Sequence, residues 1–181
     1  MMVAAEVGEE RQAAFLRLFA QYAPALGRLA GAYANAPEDR EDLVQEIAAA
    51  LWQALPGYRG AASERTWLYR IAHNVAITAT VKRRRRESRE VAPEQARDGP
   101  PAGATAERHL LEDERRGMLL AAVRGLPPPD RQITLLHLEG LTGAEIAEVA
   151  GLAEGAVATR LTRIREKLRK AIRAREVGDG R

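Results

Sequence analysis

The sequence predicts an all-α protein made of two small helical domains joined by a flexible linker, and three observations carry that expectation. Apolar residues recur at three- and four-residue spacing, and nowhere does the chain alternate as a strand would. All eight aromatic residues, from Phe15 to Tyr69, fall in the first 69 positions, so the two halves must build their cores differently. Between them, residues 91–106 read V-A-P-E-Q-A-R-D-G-P-P-A-G-A-T-A, with three prolines, two glycines and no apolar period. The expected units are residues 1–90, the linker 91–106, and residues 107–181.

The N-terminal helices follow from spacing. Over residues 8–34, Phe15, Leu18, Phe19 and Tyr22 share one face, continued by Leu26, Leu29, Ala30 and Tyr33. Asn35-Ala36-Pro37 interrupts that helix, and Pro37 suits the first turn of the next, where Glu38, Asp39, Glu41 and Asp42 complement the dipole. Leu43, Ile47, Leu51 and Leu55 form its inner ladder, and Pro56-Gly57 ends it. A third helix, from Ser63 to Arg86, is expected to bury Leu68, Ile71, Ala72, Val75 and Ala79.

Beyond the linker, residues 106–124 are expected to be helical until Leu126-Pro127-Pro128-Pro129, where the prolines force a stop. Asp130 is expected to cap a short helix to about Glu139. The next stretch is the most informative. Thr142 and Glu145 have the spacing of a capping box, and Leu141, Ile146, Ala147 and Val149 give that helix a buried side. Gly151 suits the left-handed residue that ends it. Leu152 plugs the turn, and Val157, Leu161, Ile164 and Leu168 form the inner stripe of a helix over 154–174. A short capped helix, a glycine turn and a longer second helix make a helix-turn-helix.

Composition narrows the function. The chain has 181 residues, 46% of them hydrophobic and 29% charged, which suits a folded soluble protein. No apolar run approaches the roughly 20 residues of a membrane span, and no signal-peptide pattern opens the chain, so a cytoplasmic protein without membrane contact of its own is expected. There is no cysteine, and His73, His109 and His137 are scattered, so no metal or other cofactor is expected. The net charge of +3 hides an uneven distribution. Residues 1–58 carry −4, residues 59–90 carry +6, residues 91–117 carry −2, and residues 118–181 carry +3. Two basic blocks set between acidic ones suit two polyanion-facing surfaces, with the acidic surfaces left for another partner. On the second helix of the helix-turn-helix, Ala158, Thr159, Thr162, Arg163, Glu166 and Lys167 face outward with Arg160 at the edge, followed by Arg169, Lys170, Arg173 and Arg175. That face suits a major groove, with the later cations on phosphates.

These residues also carry a family resemblance. The run from Gly125 to Leu168, G-L-P-P-P-D-R-Q-I-T-L-L-H-L-E-G-L-T-G-A-E-I-A-E-V-A-G-L through A-T-R-L-T-R-I-R-E-K-L, resembles region 4 of a bacterial extracytoplasmic-function (ECF) sigma factor. Upstream, P-E-D-R-E-D-L-V-Q-E-I resembles the part of region 2 that docks on polymerase, and W-L-Y-R-I-A-H-N-V-A-I-T-A-T-V-K-R-R-R-R, Trp67 to Arg86, resembles the part that holds and melts the −10 element. The resemblance implies a non-enzymatic subunit that binds core RNA polymerase and directs promoter-specific initiation. It places Asp42, Gln45 and Glu46 on the clamp helices of the largest polymerase subunit and the region 4 unit on the polymerase flap. It assigns −10 contact to Arg59, Ser63, Arg70, Asn74, Lys82 and Arg83. It assigns −35 contact to Thr159, Arg160, Thr162, Arg163 and Lys167. An anti-sigma factor is implied as a further partner.

The sequence also departs from that family. Ala153 and Ala158 stand where a serine and a cation are usual, so a helix cap and a DNA contact are missing and the −35 preference is expected to be unusual. In the loop 58–65, Ala61, Ala62 and Glu64 replace the usual base-trapping residues, and Thr78 replaces a frequent aspartate. Trp67, beside Leu68 and Ile71, suits the core. Two other readings fit parts of the pattern. A stand-alone helix-turn-helix regulator would bind DNA tightly without polymerase. A metal-dependent nuclease using Asp39, Asp42 and Glu46 would need a ligand from a third element.

Overall fold

The structure, a computed structural model, describes residues 2–87 and 117–179, with side chains over 8–86 and 117–173. The expected linker 91–106, the expected helix over 106–116 and the side chain of Arg175 lie outside the described residues. The chain divides into two compact units, Met1–Val91 and Ala92–Arg181. Every regular element among the described residues is helical, and none is long and apolar enough to cross a membrane.

Three helices build the first unit: α1 (Met2–Tyr33), α2 (Pro37–Ala54) and α3 (Glu64–Glu87), with a single 3-10 turn at Leu55–Gly57 closing α2. Helix α1 begins earlier than its aromatic pattern suggests and carries Pro24 in its interior. A proline there withholds one donor from the ladder, but Ala20 and Pro24 are both exposed, so water can take the donor's place. Arg40 locks the break between α1 and α2, donating from Nε to the Ala34 carbonyl at 3.1 Å and from Nη2 to the Asn35 carbonyl at 2.6 Å.

The core of this unit joins Leu18, Leu26, Leu29 and Ala30 of α1 to Leu43, Ile47 and Leu51 of α2 and to Leu68, Ala72 and Ala76 of α3. Near its N-terminal end, Phe15 meets Trp52 edge-on at 5.4 Å, and the Arg11 guanidinium lies 4.1 Å from the Trp52 ring centre. The buried side of α3 differs from expectation. Ile71, Val75 and Ala79 are only half-buried, while Trp67, Tyr69, His73, Ala76 and Thr80 are buried. The reason is that α3 packs on both α1 and α2 and needs a wide inner face, which a single apolar stripe does not reveal.

His73 lies inside that face. It is 1% exposed, and its Nδ1 is 3.2 Å from the Tyr33 hydroxyl. Burial pulls its pKa down to about 3, so it is neutral in the folded protein at physiological pH. Below pH ~6.5 the unfolded chain takes up a proton that the folded chain refuses, so stability falls as the pH drops from there toward about 3.

The second unit is a compact set of α4 (residues 117–124), α5 (Pro128–Leu138), α6 (Gly143–Ala150) and α7 (Glu154–Asp179). Its core gathers Val123, Leu126, Ile133, Leu136, Leu141, Ile146, Val149, Val157 and Ile164. Buried Arg131 donates to the carbonyls of Arg124 and Leu126, which staples the end of α4 to α5. One expectation is corrected here. Asp130 does not cap α5: the cap position is Pro127, without a side-chain bond, because Pro128 already fills the first turn. The Asp130 carboxylate turns instead toward α7.

Replacing His73 with glutamine keeps a polar partner for Tyr33 and removes the titration. Urea unfolding between pH 6.5 and 4 should show a flatter acid-side stability curve for His73→Gln than for wild type, and parallel curves would refute the assignment.

Candidate nucleic-acid interface

In the second unit, backbone capping sets the geometry that presents α7. The Thr142 hydroxyl accepts from the Glu145 N–H at 3.2 Å, and Glu145 Oε2 accepts from the Thr142 N–H at 2.7 Å, completing the expected capping box. Gly151 ends α6 at φ 66° and ψ 38°, and the Leu152 N–H bonds back to the Ala147 carbonyl at 3.0 Å. At the start of α7, Ala153 has no side-chain oxygen, and only its carbonyl receives the N–H groups of Ala156 and Val157, at 3.0 and 3.2 Å.

The turn leaves one side of α7 in solvent. Ala158, Thr159, Thr162, Arg163 and Glu166 are exposed, opposite buried Val157 and Ile164. The two threonine hydroxyls donate to backbone carbonyls one turn back, Thr159 to Gly155 at 3.0 Å and Thr162 to Ala158 at 3.2 Å. With their protons committed, these hydroxyls have only lone pairs left to offer a further partner, which suits base amino groups. Arg163 has no partner among the described residues and is the cation of this face available for a base or a phosphate. Arg160 and Lys167, at the flank, are both bound to Asp130.

In the first unit the loop 58–65 is internally braced. Tyr58 donates its hydroxyl to the Ala62 carbonyl at 2.8 Å and its ring lies 4.9 Å from that of buried Trp67. Gly60 takes φ 71°, and the Ser63 hydroxyl accepts from the Thr66 N–H at 3.1 Å, capping α3. Glu64, at the head of α3, makes a two-pronged pair with Arg17 of α1 at 2.6 and 3.1 Å. That bond from Arg17 holds the Glu64 carboxyl below its ordinary range. Arg59 is exposed on this braced loop.

Along α3, Arg70, Asn74, Thr78 and Lys82 follow one another at four-residue spacing, half-buried at Arg70 and exposed at the rest. The expected −10 residues Arg70, Asn74 and Lys82 are thus brought onto one stripe. Two others serve the fold directly: Ser63 caps α3, and Arg83 donates to the Tyr33 carbonyl and pairs with Asp39 at 3.4 Å. The role of Arg83 is not visible in a linear run of cations.

On α2, Asp42, Gln45 and Glu46 are all exposed, opposite buried Leu43, Ile47 and Leu51. Between α2 and α3 lies an open groove of about 400 Å³. One wall is acidic, from Asp39, Asp42 and Glu46, and the other is basic, from Lys82, Arg83 and Arg86. Sequence reasoning names both walls separately but misses their apposition, since they are some forty residues apart and only helix packing joins them.

A helix-turn-helix with a polar, solvent-facing second helix, in a chain that also folds a separate three-helix unit with a basic stripe, defines a DNA-binding transcription factor. Residues 18–87 match Sigma-70 region 2, and residues 116–168 match Sigma-70 region 4. The ECF RNA polymerase sigma-E factor of Escherichia coli (strain K12) is 34% identical over 164 residues, covering 87% of this chain and 85% of that protein. The structure of CnrH in complex with the cytosolic domain of CnrY is similar with a TM-score of 0.66 at 25% identity, covering 96% of each chain. Sigma factor RpoE in its complex with the anti-sigma factor NepR from Bartonella quintana has a TM-score of 0.69 at 21% identity, covering 88% of this chain and 96% of that one. The chain belongs to the ECF sigma factor family, whose members direct transcription initiation.

A Cβ built at Gly151 would meet nothing within 4 Å, so Gly151→Ala tests backbone conformation without a clash. The substitution should cost about 1 kcal/mol, because an alanine resists the left-handed region. A thermal melt of the full chain with a probe in the second unit checks this, and an unchanged transition would contradict the geometry.

Proposed function

We propose that this chain is a promoter-specificity subunit in which Asp42, Gln45 and Glu46 bind the clamp helices of the largest subunit of core RNA polymerase. The observation that carries the proposal is the division of α2 into a buried apolar ladder and an exposed acid–amide side that its own unit leaves uncovered. An acidic helical surface of this kind complements a basic one and guides its approach. The second unit would dock on the polymerase flap. Catalysis belongs to the polymerase, and this chain contributes binding and strand separation alone.

The −10 element would lie against the stripe of Arg70, Asn74 and Lys82, with Arg59 reaching from the braced loop. Ser63 and Arg83 take part by holding the loop and α3 in shape, alongside any contact of their own. Extruding a base costs a few kcal/mol, which the surrounding contacts must offset. Ala61, Ala62 and Glu64 make those contacts different from the usual family pocket. The −35 element would receive α7, with Thr159, Thr162 and Arg163 on base edges and Arg160 and Lys167 at the flanking phosphates. Two related sigma-type folds are known in complexes, one of them with an anti-sigma factor, and an inhibitor of that type acting in the cytoplasm on this chain is part of the proposal.

The test is size-exclusion co-elution with bacterial core RNA polymerase. Wild type should co-elute stoichiometrically, and a variant carrying Asp42→Arg, Gln45→Ala and Glu46→Arg should not, while keeping wild-type helicity. A folded wild type that ignores polymerase yet binds duplex DNA tightly would overturn the proposal in favour of a stand-alone helix-turn-helix regulator. On a promoter that this subunit opens, Arg163→Ala should lower initiation by about tenfold or more, the loss of one good base or phosphate contact at 1–3 kcal/mol. An unchanged rate would remove Arg163 from the interface.

A further inference from the structure

The carboxylate of Asp130 holds two cations of α7 at once. Its Oδ1 accepts from Arg160 Nη1 at 3.2 Å and its Oδ2 accepts from Lys167 Nζ at 3.2 Å. Arg160 and Lys167 are two turns apart on one side of the helix, so a single anion spans the distance between them. The three partners differ in mobility. The Asp130 side chain is 14% exposed and fixed in the first turn of α5, whereas those of Arg160 and Lys167 are 42% and 57% exposed. The anion is the rigid member, and the long cationic side chains are the ones able to re-aim.

Two oxygens of one anion engaged by an arginine and a lysine reproduce the contact that a DNA phosphate makes with the same side chains. We propose that Asp130 is an internal substitute for a DNA phosphate: it occupies Arg160 and Lys167 in the free protein and so limits how strongly α7 binds any duplex backbone. The proposal rests on the DNA-binding reading of α7 and adds a residue that determines how selective that binding is. Partly exposed ion pairs are individually weak, so a duplex with a negative charge about every 1.7 Å of its axis can displace the carboxylate. The displacement has a cost, and Thr159, Thr162 and Arg163 offset it only where the base edges fit. A clasped flank thus raises the share of affinity that depends on sequence.

The test uses the full chain and a fluorescent 30-base-pair duplex of arbitrary sequence, with anisotropy read between about 50 and 200 mM salt. Asp130→Asn should bind roughly tenfold more tightly at the lower salt, with a salt slope steeper by about 0.9 for each cation that gains a phosphate. Adding Arg160→Gln and Lys167→Gln to that variant should abolish the gain. Should Asp130→Asn melt early, Asp130→Ala gives the same readout with the proline-started turn retained. An affinity and slope equal to wild type, or weaker binding, in a folded Asp130 variant would overturn the proposal and leave Asp130 a purely structural link between α5 and α7. Failure of the underlying reading looks different. In that case neither wild type nor Asp130→Asn binds at the lowest salt, and Arg163→Ala has nothing to weaken; that outcome overturns the clasp as well.

Discussion

The first unit depends on α3 being packed from two sides at once. Its inner face meets α1 and α2, and the contacts converge at Tyr33, the last residue of α1. The Tyr33 hydroxyl reaches His73, and the Tyr33 carbonyl receives Arg83, which also pairs with Asp39 in the first turn of α2. Tyr33 therefore ties the end of α1 to α3, and through Arg83 to the first turn of α2. With α3 fixed in this way, its stripe of Arg70, Asn74 and Lys82 faces solvent, and its basic end forms one wall of a groove whose other wall is the acidic side of α2. The surfaces proposed for polymerase and for DNA would then share one rigid support. Helix packing, rather than loop conformation, sets the separation between the acidic side of α2 and the stripe of α3.

The second unit solves its presentation problem in the backbone. The capping box satisfies N–H groups at the start of α6, the left-handed glycine ends that helix within one residue, and α7 leaves the turn with its polar face outward. Cationic charge on that face is rationed. Arg163 is unengaged among the described residues, while Arg160 and Lys167 are held by Asp130; under the role proposed for Asp130, this part of α7 would favour contacts that discriminate among bases. With Ala158 at a place where a cation is usual, the same tendency is written into the sequence.

The helices, their order and the helix-turn-helix were legible in the sequence because each rests on local rules. Spacing placed Leu43, Ile47 and Leu51 inward and Asp42, Gln45 and Glu46 outward, and the Thr142, Glu145 and Gly151 pattern needs nothing beyond ten consecutive residues. What was not legible depends on distant partners. His73 reads as an isolated histidine until Tyr33 is brought beside it from forty residues away. Arg83 is one of five consecutive cations, and only the fold selects it to bind the Tyr33 carbonyl. Asp130 has the residue type and position of a helix cap, but Pro128 had already satisfied the first turn, leaving the carboxylate to a helix thirty residues further on. The cap of α3 at Ser63 is local as well, since its place directly before Glu64 marks it in the sequence.

The central claim is that this chain both brings polymerase to a promoter and opens it, and permanganate footprinting during reconstituted transcription tests that claim most directly. Core RNA polymerase would be mixed with the chain and linear fragments of bacterial genomic DNA, and run-off transcripts and reactive thymines read together. The account predicts discrete start sites that appear only with the chain present, each with unpaired thymines in the −10 region. Co-elution with polymerase but no start sites and no reactive thymines would contradict it, leaving a protein that docks on polymerase without initiating.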